Sequence, residues 1–181
     1  MKPSDMEPLS PPINFFKALE FTLRWEGGWS DHPDDLGGQT MKGVIQSVYD
    51  RYRTSKELPQ QSVAQLTDDE LMDIYYNLYW KPAYCDDMKY PLALCMFDTA
   101  VNFGHDNALL FLEEILALDV GTKFEPSMLE TEDPKAIAMA VCGARIFYRY
   151  QRVRENDTQK AFLRGWLNRD RDLLDRLSRM L

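Results

Sequence analysis

The chain has 181 residues, of which 45% are hydrophobic and 12% aromatic, and its formal net charge is −8. This length and composition suffice for one well-filled globular core. No apolar run approaches the ~20 residues that span a bilayer, so the sequence predicts no membrane-spanning helix. Residues 61–135 carry 15 acidic and 4 basic side chains, a net charge of −11, which argues against nucleic-acid binding.

The N-terminal segment, residues 1–12, is polar and rich in proline. This composition is typical of a flexible arm. It lacks the apolar stretch of a signal peptide. We therefore expect a protein made in the cytoplasm and delivered to its site of action by another route.

The first predicted helix covers residues 13–25, where apolar residues recur at spacings of three and four. Gly27 and Gly28 are expected to end it, because glycine readily takes the left-handed conformation found after a helix. Glu26 then lies at the C-terminus of the helix. The negative end of the helix dipole disfavours an ionised carboxylate there, which suits a group that must hold a proton.

A loop or small hairpin is predicted over residues 29–40, directly after Glu26. It contains Asp31, Asp35 and Thr40. Hydrolysis of a glycosidic bond needs an acid to protonate the leaving oxygen and a second polar group that holds water or stabilises the sugar cation. Glu26 together with Asp35 is suggestive of this chemistry.

Two further segments precede the middle of the chain. Residues 44–52 are predicted to be helical, and residues 54–66 form a polar linker. Thr67 and Glu70 have the spacing of a capping box, in which each side chain satisfies an amide at the start of a helix. That helix is expected to run to about Trp80.

A central buried helix is predicted over residues 91–103, because the segment is apolar almost all round. Asp98 and Asn102 interrupt it four residues apart and so share one helix face. A buried polar pair needs partners. Two interpretations remain open, a hydrogen-bond network in the core or side chains that line a cleft.

The C-terminal part is predicted to be helical, with helices over residues 106–118, 134–155 and 159–180 and a turn-rich segment over 119–131. Strand signals are sparse. The predicted fold is mostly α, a helical bundle around a central buried helix with a small β element beside the presumed site.

The same C-terminal segment is basic, with a net charge of +5 over residues 136–181. Arg145, Arg149 and Arg152 recur at helical spacing. Such a face is either solvated or paired within the protein, or it contacts an anionic wall polymer.

Other chemistries find less support. The cluster of aspartates and one histidine in residues 31–35 lacks the pattern of a calcium loop, and one histidine is too few for a zinc site, so no metal or cofactor is predicted. Cys95 and Cys142 lie in apolar helical surroundings and are predicted to be buried thiols rather than nucleophiles.

Four motifs stand out in the chain, and the main one is Glu26-Gly-Gly-Trp-Ser-Asp-His-Pro-Asp-Asp-Leu-Gly-Gly-Gln-Thr-Met-Lys-Gly-Val44. The others are Tyr79-Trp-Lys-Pro82, Phe97-Asp-Thr-Ala-Val-Asn-Phe-Gly104 and Arg164-Gly-Trp-Leu-Asn-Arg169. Together these motifs resemble glycoside hydrolase family 108, the bacterial and phage N-acetylmuramidases.

This resemblance implies an α+β lysozyme-like catalytic domain over residues 13–104. Residues 105–181 would form a diverged peptidoglycan-binding-type helical region packed on it. The implied reaction is hydrolysis of the β-1,4 bond between N-acetylmuramic acid and N-acetylglucosamine, with no cofactor.

The resemblance also implies roles for single residues. Glu26 is the general acid, and Asp35 and Thr40 position a water or stabilise the transition state. The expected substrate-binding residues are Trp29, Asp31, Trp80 and Asn102.

Two alternatives stay open, a non-catalytic peptidoglycan-binding protein that keeps the fold and a chitin-type glycosidase. For the muramidase, we expect action on the cell wall after release by a holin-like export partner, by lysis or by a dedicated export route.

Overall fold

The computed structural model describes residues 11–30 and 39–180, and in these residues it is mostly helical. Helices α1 to α7 cover Ile13–Glu26, Gln46–Ser55, Asp68–Tyr75, Tyr90–Phe103, His105–Ile115, Pro134–Glu155 and Lys160–Ser178. Strands β1 to β3 cover Trp29–Ser30, Thr40–Met41 and Val44–Ile45. The predicted fold class is confirmed. Within the described ranges, no helix is both long and apolar enough to cross a membrane.

The first helix agrees with its prediction and extends one residue further, so that Glu26 is its last residue. It ends at Gly27, whose φ of 72° lies in the region that favours glycine. Phe15 and Phe21 are fully buried on its inner face. Most of the predicted arm, residues 1–10, lies outside the described residues.

The three strands form one antiparallel sheet in the order β1-β2-β3. Lys42 and Gly43 join β2 to β3, with φ values of 47° and 81°. Positive φ at both positions is what a two-residue hairpin turn needs to match the twist of its strands. The helix predicted over 44–52 was wrong in its first two residues, because they form β3 and α2 begins at Gln46.

The capping box at α3 is confirmed, with Thr67 accepting from the Glu70 amide and Glu70 accepting from the Thr67 amide. The α-helix does not continue unchanged to Trp80. A π-helical turn, Tyr76–Trp80, replaces its last part and closes with a bond from the Lys81 amide to the Tyr76 carbonyl. Such a turn changes the direction of the side chains that follow it.

Helix α4 is the centre of the core, as predicted, and it packs against α1, α5 and α6. Its residues from Leu92 to Ala100 are all buried. The same hydrophobic cluster includes Val141 of α6 and Leu173 and Leu177 of α7. The predicted catalytic and C-terminal parts therefore share one core, whereas a separate wall-binding role for residues 105–181 stays a prediction.

Candidate active site

Glu26 leaves the end of α1 with its side chain 19% exposed, and its carboxylate contacts the last helix of the chain. Arg169 donates from Nη1 to Glu26 Oε1 at 2.5 Å. The two residues are 143 positions apart. The site is therefore assembled from the first and the last helix.

The hairpin turn between β2 and β3 covers the other side of Glu26. A Cβ atom built on Gly43 would lie 2.8 Å from Glu26 Oε2 and 2.5 Å from the Tyr75 hydroxyl oxygen. Both distances are too short for a real side chain. Gly43 is needed here for its positive φ and for this close approach.

Two tyrosines of the α3 region complete the described surroundings. Tyr75 donates from its hydroxyl to the Lys42 carbonyl at 2.8 Å, which fixes the turn against the helix. Burial, together with the negative charge of Glu26, raises the pKa of Tyr75. The same two causes raise the pKa of Tyr79. Both phenols therefore stay neutral at physiological pH.

Arg169 is itself held by a buried carboxylate. It donates from Nη2 to Asp98 Oδ1 at 2.7 Å, and Thr22 donates to the same oxygen at 3.1 Å. Arg145 donates to Asp98 Oδ2 at 2.9 Å. Asp98 is fully buried, and all of these partners come from other helices. Of the two interpretations left open for Asp98, the structure shows the hydrogen-bond network in the core.

The network continues through Asp170, which accepts from Arg145 at 2.6 Å and from Arg149 at 2.5 Å. The network therefore contains three guanidinium groups and three carboxylates. The guanidinium groups are those of Arg145, Arg149 and Arg169, and the carboxylates are those of Glu26, Asp98 and Asp170. Buried charges are tolerated when they are paired and hydrogen-bonded in this way. Of the two interpretations of the basic helix face, pairing within the protein is the one the structure shows for Arg145 and Arg149.

The charged state of the network follows from its pairing. Burial alone would raise the pKa of Asp98, but the guanidinium groups of Arg169 and Arg145 hold it below its ordinary value. Burial alone would lower the pKa of Arg169, but the carboxylates of Asp98 and Glu26 raise it. Arg169 is therefore a permanent cation beside Glu26.

The other predicted residues near Glu26 lie in the small sheet or outside the described ranges. Trp29 is 45% exposed and pairs with Met41 across β1 and β2. Thr40 is partly buried in the central strand. Asp31 and Asp35 lie outside the described residues. The roles predicted for these four residues stay predictions.

The prediction that Trp80 binds substrate is wrong. Its side chain is 0% exposed, and it packs edge-on against the rings of Phe15 and Phe97. Its Nε1 donates to Asp86 Oδ1 at 2.7 Å. The indole is a core side chain with a satisfied polar atom, and no face of it is open to a sugar.

Asn102 lies one helical turn beyond Asp98 at the end of α4. It donates to the Asp98 carbonyl at 2.9 Å and accepts from Arg149 at 3.4 Å. It also lines a cavity of about 340 Å³ between α4, α5 and α6. The side-chain amide of Asn102 therefore contacts both the buried network, through Arg149, and the cavity. Its contact with substrate stays a prediction.

Sequence reasoning did not assign Arg169 to the site, although a signal was present. Arg169 and Asp170 fall within an apolar stripe of α7 that includes Leu173 and Leu177, all of them buried. Charged residues on the buried face of a helix predict ion pairs in the interior. The partner could not be read from the sequence, because it lies at the other end of the chain.

A mostly α fold with a small antiparallel sheet beside a helix-terminal glutamate is lysozyme-like. Residues 19–104 match the family model described as Glycosyl hydrolase 108, and the resemblance to that family of glycoside hydrolases is confirmed for this segment. The matched segment contains Glu26, Gly43 and Asp98 but not Arg169.

Among solved structures, the chain is similar to "Structure of Brucella abortus SagA". The sequence identity is 24%, the TM-score is 0.73, and the alignment covers 90% of this chain and 92% of that one. This likeness shows the fold. No curated protein sequence matches the chain.

Proposed function

We propose that the protein is an N-acetylmuramidase that hydrolyses the β-1,4 bond between N-acetylmuramic acid and N-acetylglucosamine in peptidoglycan. The observation that carries this proposal is the setting of Glu26. It ends α1 inside the segment that matches a glycoside hydrolase family model, Arg169 is bonded to its carboxyl group, and the hairpin turn packs against it. Such fixation is what a general acid needs, because proton transfer depends on a preset geometry.

In the proposed reaction, Glu26 protonates the leaving glycosidic oxygen. Asp35 and Thr40 hold the attacking water or stabilise the oxocarbenium-like transition state. Trp29 offers an exposed ring for stacking on a sugar, and Asp31 contributes a polar contact beside it. No cofactor takes part.

Arg169 is proposed to position Glu26. Its guanidinium is fixed from behind by Nη2 and Nε, which donate to Asp98 Oδ1 at 2.7 and 3.2 Å. Only Nη1 is directed at the glutamate. A rigid support of this kind keeps a reacting group near its productive geometry.

The same ion pair supports a second candidate, a peptidoglycan-binding protein without catalytic activity. A glutamate paired with a buried arginine at 2.5 Å could serve the fold alone. In that case Glu26 would be a structural anion that closes the network.

The experiment that separates the two candidates is the release of soluble muropeptides from purified peptidoglycan, comparing wild type with Glu26→Gln. Mass analysis of the reducing ends identifies the bond that is cut. Muramic acid reducing ends from wild type alone support the muramidase. Sedimentation of both proteins with peptidoglycan and cleavage by neither supports the binding protein, and equal cleavage by both rules out Glu26 as the acid.

Delivery to the wall is part of the proposal. A holin-like pore, cell lysis or a dedicated export route would bring the enzyme to its substrate. Measuring lysis of cells that express the chain with and without a pore-forming partner tests this step.

A further inference from the structure

A second surface with the features of a binding site lies at the ends of α4 and α6 and the starts of α5 and α7. Its first part is the cavity of about 340 Å³, which is lined by polar groups of Asn102, Asn107, Glu114 and Arg152 and by the ring of Tyr148. Small-molecule sites typically start at roughly 300 Å³ and combine apolar walls with a few polar groups. The size and the lining of this cavity fit that description.

The second part is a pair of stacked aromatic rings beside the cavity. Phe162 is 57% exposed and stacks on Trp166, with ring centroids 5.8 Å apart and an interplanar angle of 27°. Arg152 joins the two parts, because it lines the cavity and its guanidinium lies 5.9 Å from the Trp166 ring. Aromatic rings at a surface offer a flat apolar face on which a ligand can stack.

The ring pair lies on the same helix as Arg169, the residue that bonds Glu26. Phe162, Trp166 and Arg169 follow one another at spacings of four and three along α7, so they share one face of the helix. With a rise of 1.5 Å per residue, the backbone positions of Trp166 and Phe162 are about 4.5 and about 10.5 Å along the helix axis from that of Arg169. The ring pair is therefore two helical turns or less from the residue that bonds Glu26.

We propose that the cavity and the ring pair form a distal subsite for an N-acetylated sugar of the glycan strand. The rings of Phe162 and Trp166 stack on the apolar face of the sugar. The side-chain amides of Asn102 and Asn107 hydrogen-bond its acetamido and hydroxyl groups. Arg152 pairs with a carboxylate of the wall polymer, such as a free carboxylate of its stem peptides. This inference rests on the proposed function and names a part of the substrate that lies away from the cleaved bond.

The test compares short and long ligands. N-acetylglucosamine oligomers of two and six sugars are titrated calorimetrically into Glu26→Gln protein, alone and combined with Phe162→Ala. The matched control is Phe147→Ala, because Phe147 is 64% exposed on the neighbouring helix and does not line this surface. We expect Phe162→Ala to weaken binding of the six-sugar oligomer about tenfold, or about 1.4 kcal/mol, and to leave the two-sugar oligomer and the control unchanged.

A second variant tests the charged contact. Arg152→Gln should weaken binding of a soluble muropeptide several-fold while leaving the six-sugar oligomer, which has no carboxylate, bound as before. Unchanged six-sugar affinity in Phe162→Ala, or an equal loss for both oligomers, overturns the subsite even if wild type cleaves peptidoglycan. If wild type releases no muropeptides and the Glu26→Gln protein binds neither oligomer, it is the proposed function that fails.

Discussion

Replacing Gly43 with alanine changes a residue that is not itself reactive but touches Glu26. The new Cβ atom would meet the Glu26 carboxylate at 2.8 Å and the Tyr75 hydroxyl at 2.5 Å. Neither neighbour can move freely. Tyr75 is bonded to the Lys42 carbonyl, and the other oxygen of Glu26 is bonded to Arg169.

The expected loss of stability can be worked from these contacts. A non-glycine residue at a φ of 81° costs about 1–2 kcal/mol. Displacing Tyr75 breaks its bond to Lys42, which contributes about 1 kcal/mol. We therefore expect Gly43→Ala to lower the free energy of unfolding by about 2–3 kcal/mol. The effect on catalysis should be larger, because a shift of a catalytic group by about 1 Å can reduce the rate about 100-fold.

Urea denaturation followed by tryptophan fluorescence measures the stability, and muropeptide release measures the activity. Gly28→Ala is the matched control. Gly28 is two residues from Glu26, but a Cβ atom there meets nothing within 4 Å. We expect this control to keep both stability and activity. If Gly43→Ala equals wild type in both assays, the proposed packing of the turn on Glu26 is wrong.

Three further predictions follow from the buried groups. Asp98→Asn should lower the free energy of unfolding by about 3–5 kcal/mol, measured in urea, because it removes the buried carboxylate that Arg145 and Arg169 share and leaves each with one anionic partner fewer. Since the pKa of Asp98 is lowered by folding, its contribution to stability is fully present above the ordinary carboxyl value of about 4 and is lost as the pH falls through the folded value. Acid titration of the fluorescence should show this loss in wild type and a flatter profile in Asp98→Asn. Trp80→Ala should lower the free energy of unfolding by about 3–5 kcal/mol, because the ring is buried. Trp29→Ala should reduce muropeptide release with little change in stability. A stable Trp80→Ala protein that has lost muropeptide release would contradict the burial of Trp80.

Local sequence patterns were sufficient for most of the fold. The capping box at Thr67, the glycine stop after Glu26 and the apolar run of α4 each depend on residues within a few positions of one another. Such signals do not need knowledge of the tertiary structure. They also gave the correct order of the helices and the position of the presumed acid at a helix end.

The errors came from features that only packing decides. The π-helical turn that precedes Lys81 has no sequence signal of its own, yet it directs Trp80 into the core. The motif around Trp80 therefore predicted a ring that stacks on a sugar, whereas the ring is buried. Arg169 was missed for a related reason, because an ion pair across 143 residues cannot be inferred from spacing.

The buried network also bears on the predicted division of the chain after Gly104. Asp98 is fully buried in the catalytic part, whereas Arg145 and Arg169, which neutralise it, belong to the C-terminal part. A fragment ending at Gly104 would leave this carboxylate without a cation and would also expose the faces of α4 that pack on α5 and α6.

We therefore expect residues 1–104 alone to lack cooperative unfolding and to release no muropeptides, although the fragment contains the whole segment matched to the family. Circular dichroism on thermal unfolding checks this, and a fragment that folds and cleaves would show that the two parts are independent after all. Because the support of Glu26 comes from α7, the C-terminal part contributes to the candidate active site whether or not it also binds the wall.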